Sequence, residues 1–101
     1  MNSDELYYLC RDGNERIWEY LYGYVYQIVR YRSWELDREE AKDIAQDTMR
    51  FLLDGGLKKV KKPNAFKNFI KRMTANRIID YLRKKRSERL VPLPEITQRP
   101  S

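Results

Sequence analysis

The sequence predicts an all-α fold, a compact four-helix domain with no sheet. Three observations lead there. Apolar residues recur at spacings of three and four through most of the chain, which lays them along one side of a helix. Capping residues open these stretches, and glycine-containing turns close them. Strand signals are missing: there is no sustained alternation of apolar and polar residues, and no Asn-Gly or Asp-Gly turn between two β-rich runs.

The elements follow in order. Ser3 is placed to cap a short first helix, Asp4 to about Arg11. Asp12-Gly13-Asn14 makes a turn, and Asn14 caps the second helix. That helix runs from Glu15 to about Arg32. Its main stripe is Trp18, Leu21, Tyr22, Val25, Ile28 and Val29; a second stripe holds Ile17, Tyr20, Tyr24 and Tyr31. A helix apolar on two sides packs against neighbours on both, so these tyrosines are assigned to the core rather than to a stacking platform. Asp37 opens the third helix, with Glu40 three residues on in a capping-box pattern. It ends near Leu53 at Asp54-Gly55-Gly56, and its buried face is Ala41, Ile44, Ala45, Thr48, Phe51 and Leu52. A basic loop, Leu57 to Pro63, leads to Asn64, which is placed to cap the fourth helix, Ala65 to about Glu88. There Phe66, Phe69, Ile70 and Met73 are buried first, then Ile78, Tyr81 and Leu82. The stripe shifts near Asn76 and leaves Arg72, Asn76 and Arg83 on one polar side. The helical domain therefore covers residues 1–88, and 89–101, with Pro92, Pro94 and Pro100, reads as a tail or linker.

Composition narrows the function. The chain has 101 residues, one small domain at the low end of the usual range of about 100–200. At 42% hydrophobic and 36% charged, it is too apolar for a disordered chain and too charged for a membrane protein. The polar start, Met1 to Glu5, gives no expectation of a secretory leader. A single cysteine, Cys10, fits a reducing compartment, and a cytoplasmic location is expected. The chain has no His, the commonest general base and metal ligand. No enzyme activity, catalytic residue, cofactor or metal is expected.

Charge is unevenly spread. Residues 1–54 hold 12 acidic and 7 basic side chains; residues 55–101 hold 3 acidic and 14 basic. Such a split suggests a polyanion on one side and a different partner on the other. The basic half runs from Lys58, Lys59, Lys61 and Lys62 through Lys67, Lys71, Arg72 and Arg77 to Arg83-Lys84-Lys85-Arg86. These cations can neutralise phosphates. Phe66, Phe69 and Tyr81 lie among them, and aromatics beside a basic groove suit single strands. The spacing of Phe66 and Phe69 assigns most of their surface to the core. On the third helix, Asp43, Gln46, Asp47 and Arg50 share one polar stripe. It is either the ordinary wet side of an amphipathic helix or a docking surface for a basic partner.

Two stretches carry a family resemblance. Ala41-Lys42-Asp43-Ile44-Ala45-Gln46-Asp47-Thr48-Met49 resembles the Glu-Asp-apolar-apolar-Gln-Glu-apolar-Phe stretch of bacterial RNA polymerase sigma factors of the sigma-70 class. Residues Ala65 to Arg83 resemble that family's Phe-x-x-Trp-Leu-x-x-Ile-Ala-x-Asn-x-x-x-Asp-x-Leu-Arg pattern. The Arg11-Asp12-Gly13-Asn14 turn sits where these proteins have a Gly-Asp turn. The most similar type is the short extracytoplasmic-function (ECF) sigma factor, and the resemblance covers about Glu5 to Glu88, within region 2. Phe69 stands where Trp is usual, Thr74 where Ala is usual and Asp47 where Glu is usual. The family's region 4 helix-turn-helix is not expected within this chain; the tail lies where the linker towards it begins.

The resemblance implies a region 2 fold and two partners, the polymerase core and promoter DNA. The third helix would dock on the clamp helices of the β′ subunit through Asp43, Gln46, Asp47 and Arg50. The melted non-template strand of the minus-ten element would be held by Lys58, Lys59, Lys61, Lys62, Asn64, Phe66, Arg72, Asn76 and Arg83. Within that set, Asn64 and Asn76 suit base reading because an amide both donates and accepts, and the cations suit phosphates. An anti-sigma factor is a further partner the resemblance allows; no membrane partner is expected. Two alternatives stay open: a nonspecific basic module for single-stranded nucleic acid, and a protein-interaction regulator of polymerase that does not touch DNA. Binding to β′ clamp helices tells the first apart, and binding to single-stranded minus-ten DNA the second.

Overall fold

The computed structural model describes residues 1–89 and contains four α-helices: α1 Ser3–Arg11, α2 Glu15–Arg32, α3 Arg38–Leu53 and α4 Phe66–Arg89. Two short 3-10 turns, Gly56–Lys59 and Pro63–Ala65, join α3 to α4, and no strand occurs among the described residues. The expected tail, 89–101, lies outside the described residues apart from Arg89 at its start.

The caps explain where each helix starts. Asp37 Oδ1 accepts the Glu40 N–H at 2.8 Å while Glu40 Oε1 accepts the Asp37 N–H at 3.0 Å, the reciprocal box expected at α3. Asn14 accepts from the Ile17 N–H at 3.1 Å and caps α2. Two expected caps are corrected. Asn2, not Ser3, caps α1, in a box with Glu5. Asn64 does not cap α4, because a 3-10 turn over Pro63–Ala65 leads straight into the helix. Ser3 takes that task across space: its Oγ accepts the Lys67 N–H at 3.2 Å. The Lys67 ammonium in turn donates to the Met1 carbonyl at 2.6 Å. The start of α1 is thus pinned on the start of α4.

Two adjoining clusters form the core. The larger joins Leu6 and Cys10 of α1, Ile17, Leu21 and Val25 of α2, Ala45, Met49 and Leu52 of α3, Val60, and Phe66 and Ile70 of α4. The smaller joins Val29, Leu36, Ala41, Ile44 and Ile78. Each large aliphatic or aromatic side chain buried here contributes about 1.5–3 kcal/mol. Polar groups are admitted sparingly. Thr48 is buried and donates to the Ile44 carbonyl at 2.8 Å, whereas the buried Thr74 hydroxyl has no partner among the described residues.

The second stripe of α2 is only partly core. Ile17 is buried and Tyr24 half-buried, but Tyr20 is 47% exposed and Tyr31 92% exposed. Periodicity puts Tyr31 on an apolar line, but no neighbouring element among the described residues covers it. No described helix is long and apolar enough to cross a membrane.

Candidate nucleic-acid interface and docking face

The side of α4 that faces α3 carries two grooves. The first is lined by Asp43, Gln46, Asp47 and Arg50 of α3 and by Arg77, Asp80, Tyr81 and Lys84 of α4. All four residues of the expected docking stripe therefore meet in one place, and all four are exposed. The sequence reading missed the opposite wall. Arg77 donates to Asp47 at 2.6 Å, and Arg50 stands 3.9 Å from the other oxygen of the same carboxylate. Of the stripe's two carboxylates, Asp47 is thus already in contact with two cations, one of them from the stripe itself.

The second groove is lined by Phe51 of α3, by Lys59, and by Phe69, Arg72, Met73, Asn76, Arg77 and Asp80 of α4. Three of the expected DNA residues, Lys59, Arg72 and Asn76, converge here. Phe51, expected on the buried face of α3, is half-buried. The Lys59 ammonium and the Arg77 guanidinium each lie 5.3 Å from its ring centroid, within cation–π range. Gly56 holds this ring close: a Cβ there would meet Phe51 at 2.6 Å, on both the ring and the backbone carbonyl. The preceding Gly55, at φ +98°, makes the turn that brings Gly56 back.

The remaining expected residues are more scattered. Lys61, Lys62 and Asn64 are exposed on the connection before α4, and Lys58 faces a different depression beside Tyr7, Trp18 and Leu57. Arg83 is exposed about 10 Å further along α4 than Asn76. Phe66 is corrected outright. It is 0% exposed and packs edge-on to Tyr7 at 5.6 Å, so no base can stack on it. Its burial follows from the seat of α1 over the start of α4, which brings Tyr7 and Leu6 onto it. Phe69, half-buried at the groove, is the aromatic available in its place.

Beyond these grooves, Glu40 ties the N-terminus of α3 to the far half of α4. Lys85 donates to its Oε2 at 2.6 Å and the Tyr81 hydroxyl at 3.3 Å. The Lys85 hydrogen bond, helped by the Asp37 backbone N–H, holds the Glu40 carboxyl below the usual carboxylate range. Burial and the nearby Glu40 charge raise Tyr81. These shifts belong to a structural tie between helices. Cys10 is 2% exposed, and burial pushes its thiol up to about 11. No group of three metal-ligating side chains occurs among the described residues.

The first groove thus sets three carboxylates, Asp43, Asp47 and Asp80, against three cations, Arg50, Arg77 and Lys84, whereas the second carries Lys59, Arg72 and Arg77 against Asp80 alone. The family model described as Sigma-70 region 2 matches residues 17–88. No curated protein and no solved structure matches the chain.

Proposed function

This chain belongs to the sigma-70 region 2 family, and on that premise we propose that it is the polymerase-docking and promoter-melting domain of an ECF-type sigma factor. A role in transcription initiation and promoter recognition comes with the family. The finer assignment is ours. The α3 face with Asp43, Gln46, Asp47 and Arg50 docks on the β′ clamp helices. The groove of Lys59, Arg72 and Asn76 takes the melted non-template strand of the minus-ten element, with Phe51 and Phe69 offering apolar surface to a base. Lys58, Lys61, Lys62 and Arg83 meet phosphates on either side, and Asn64 and Asn76 read base edges. The domain performs no catalysis; it lends specificity to the polymerase, in the cytoplasm.

One observation supports this reading above the others: a charge-balanced groove that holds the whole α3 stripe and a basic groove adjoin along α4 and share Arg77 and Asp80. A nonspecific basic module has no use for the groove that holds the α3 stripe. A regulator that never touches DNA has no use for the basic one.

Titration of fluorescent single-stranded and duplex oligonucleotides at several salt concentrations tests it. The minus-ten strand is expected to bind more tightly when single-stranded. Asn76→Ala is expected to flatten preference at one base position at a cost of about 1–3 kcal/mol. Lys59→Ala is expected to weaken all sequences alike and reduce the salt slope by about 0.7. Equal affinity for duplex and single strand, with no sequence preference for Asn76→Ala to erase, returns the domain to the nonspecific class.

A further inference from the structure

A third groove runs along the C-terminal half of α2, beside Lys71 of α4. Tyr24, Ile28 and Tyr31 of α2 line it, with Arg30, Arg32 and Lys71 among them. Three cations and no carboxylate among the described residues face it, so its electrostatic complement is an anion. Arg30 is partly committed, donating to the Leu36 carbonyl at 3.1 Å. Arg32 and Lys71 are exposed and make no ion pair among the described residues. Tyr31 is 92% exposed, so its ring adds nothing to the core.

We propose that this groove is a second contact for single-stranded nucleic acid. It takes nucleotides that flank those held beside Phe51. A base stacks on Tyr31 while phosphates meet Arg32 and Lys71. The proposal rests on the reading of the Phe51 groove as the primary strand site. Continuity favours nucleic acid over an acidic protein segment. Lys71 and Arg72 are neighbours on α4 and line the two grooves in turn. A helix is about 10–12 Å across with its side chains, so a strand passing over α4 can touch both. Aromatic rings beside unpaired cations are the usual platform for single strands.

The test uses the full chain and two single-stranded DNA oligonucleotides with the same central sequence, about 6 and about 12 nucleotides long, within the range of single-strand site sizes. Fluorescence anisotropy reads affinity, and circular dichroism confirms that each variant is folded. Tyr31→Ala is expected to weaken the longer oligonucleotide about 5-fold or more, in line with loss of one stacked base, and to leave the shorter one unchanged. Tyr31→Phe is expected to restore the loss. Lys71→Gln is expected to lower the salt slope by about 0.7 for the longer oligonucleotide alone.

If Tyr31→Ala and Lys71→Gln change neither oligonucleotide while Asn76→Ala weakens both, the third groove is not a strand site and the primary reading stands. If Asn76→Ala also changes nothing, the primary reading falls with it. Displacement of the longer oligonucleotide by polyglutamate as readily as by poly(dT) overturns the proposal and gives the groove to an acidic protein segment.

Discussion

Arg77 of α4 reaches across to α3 and places Nη1 2.6 Å from Oδ2 of Asp47. The side chains are 32% and 50% exposed, so water screens the pair and it contributes at most about 1 kcal/mol. A basic partner can therefore displace Arg77 from Asp47 at small cost. The displaced guanidinium already lies over Phe51, on the edge of the strand groove. A cation brought to Asp47 and an anion brought beside Phe51 would therefore both draw Arg77 the same way, from Asp47 towards the strand groove.

Reversing the charge at Asp47 removes the carboxylate and sets a second cation against Arg77. Asp47→Lys is expected to weaken binding to a β′ clamp-helix fragment by about 2 kcal/mol or more. Melting temperature should fall by only a few degrees, since the pair contributes at most about 1 kcal/mol. A pull-down with that fragment checks it; unchanged binding by a folded variant removes this face from the docking account.

Phe66 separates a core role from a strand-binding role. Phe66→Ala is expected to cost about 3–5 kcal/mol of stability, a large part of what a small domain has. Urea unfolding measures this. A variant that kept its stability and lost only DNA affinity would contradict the buried position.

The unpartnered Thr74 hydroxyl makes the opposite kind of prediction. Thr74→Val keeps the branched shape and removes a buried polar group that bonds to nothing among the described residues. Stability should rise by about 1–2 kcal/mol. A fall on urea titration would show that the hydroxyl has a partner, such as a buried water.

The Glu40 tie predicts a pH dependence. Its folded pKa lies below the unfolded value, so the folded state favours the carboxylate. The stabilisation is present above the ordinary Glu pKa of about 4.3 and is lost as pH falls through the folded value. Tyr81 has the reverse sign: a raised pKa favours its protonated form, so that part is lost at alkaline pH, above about 10. Glu40→Gln is expected to lower stability at neutral pH and to flatten the acid limb of a Tm-against-pH curve. An acid limb as steep as wild type would place the proton uptake elsewhere.

Cys10 is expected to be chemically quiet. With its thiol pushed up to about 11 and 2% exposed, almost no thiolate is available at neutral pH. Alkylation by iodoacetamide should be slow in the native state and fast in urea. Cys10→Ala should leave polymerase and DNA binding within about twofold, given that no second cysteine or histidine exists to complete a site. Loss of binding under mild oxidation, absent in that variant, would reveal a redox role.

The sequence by itself determined the four helices, their order, the caps of the second and third, and the division of charge. These follow from local rules: apolar spacing of three and four decides a helix face, Asp37 with Glu40 decides a start, and Gly55 decides a stop. Lys59, Arg72 and Asn76 were legible as candidates because their charge and spacing stand in the chain. What lies opposite each face was not legible, because that depends on how rigid helices seat against one another. The tertiary structure decided that α1 covers Phe66, that Ser3 caps a helix 64 residues away, that Arg77 pairs with Asp47, and that Tyr31 is left in water. A periodic stripe says which side of a helix is apolar, and only the length and angle of its neighbour says how much of that side is buried.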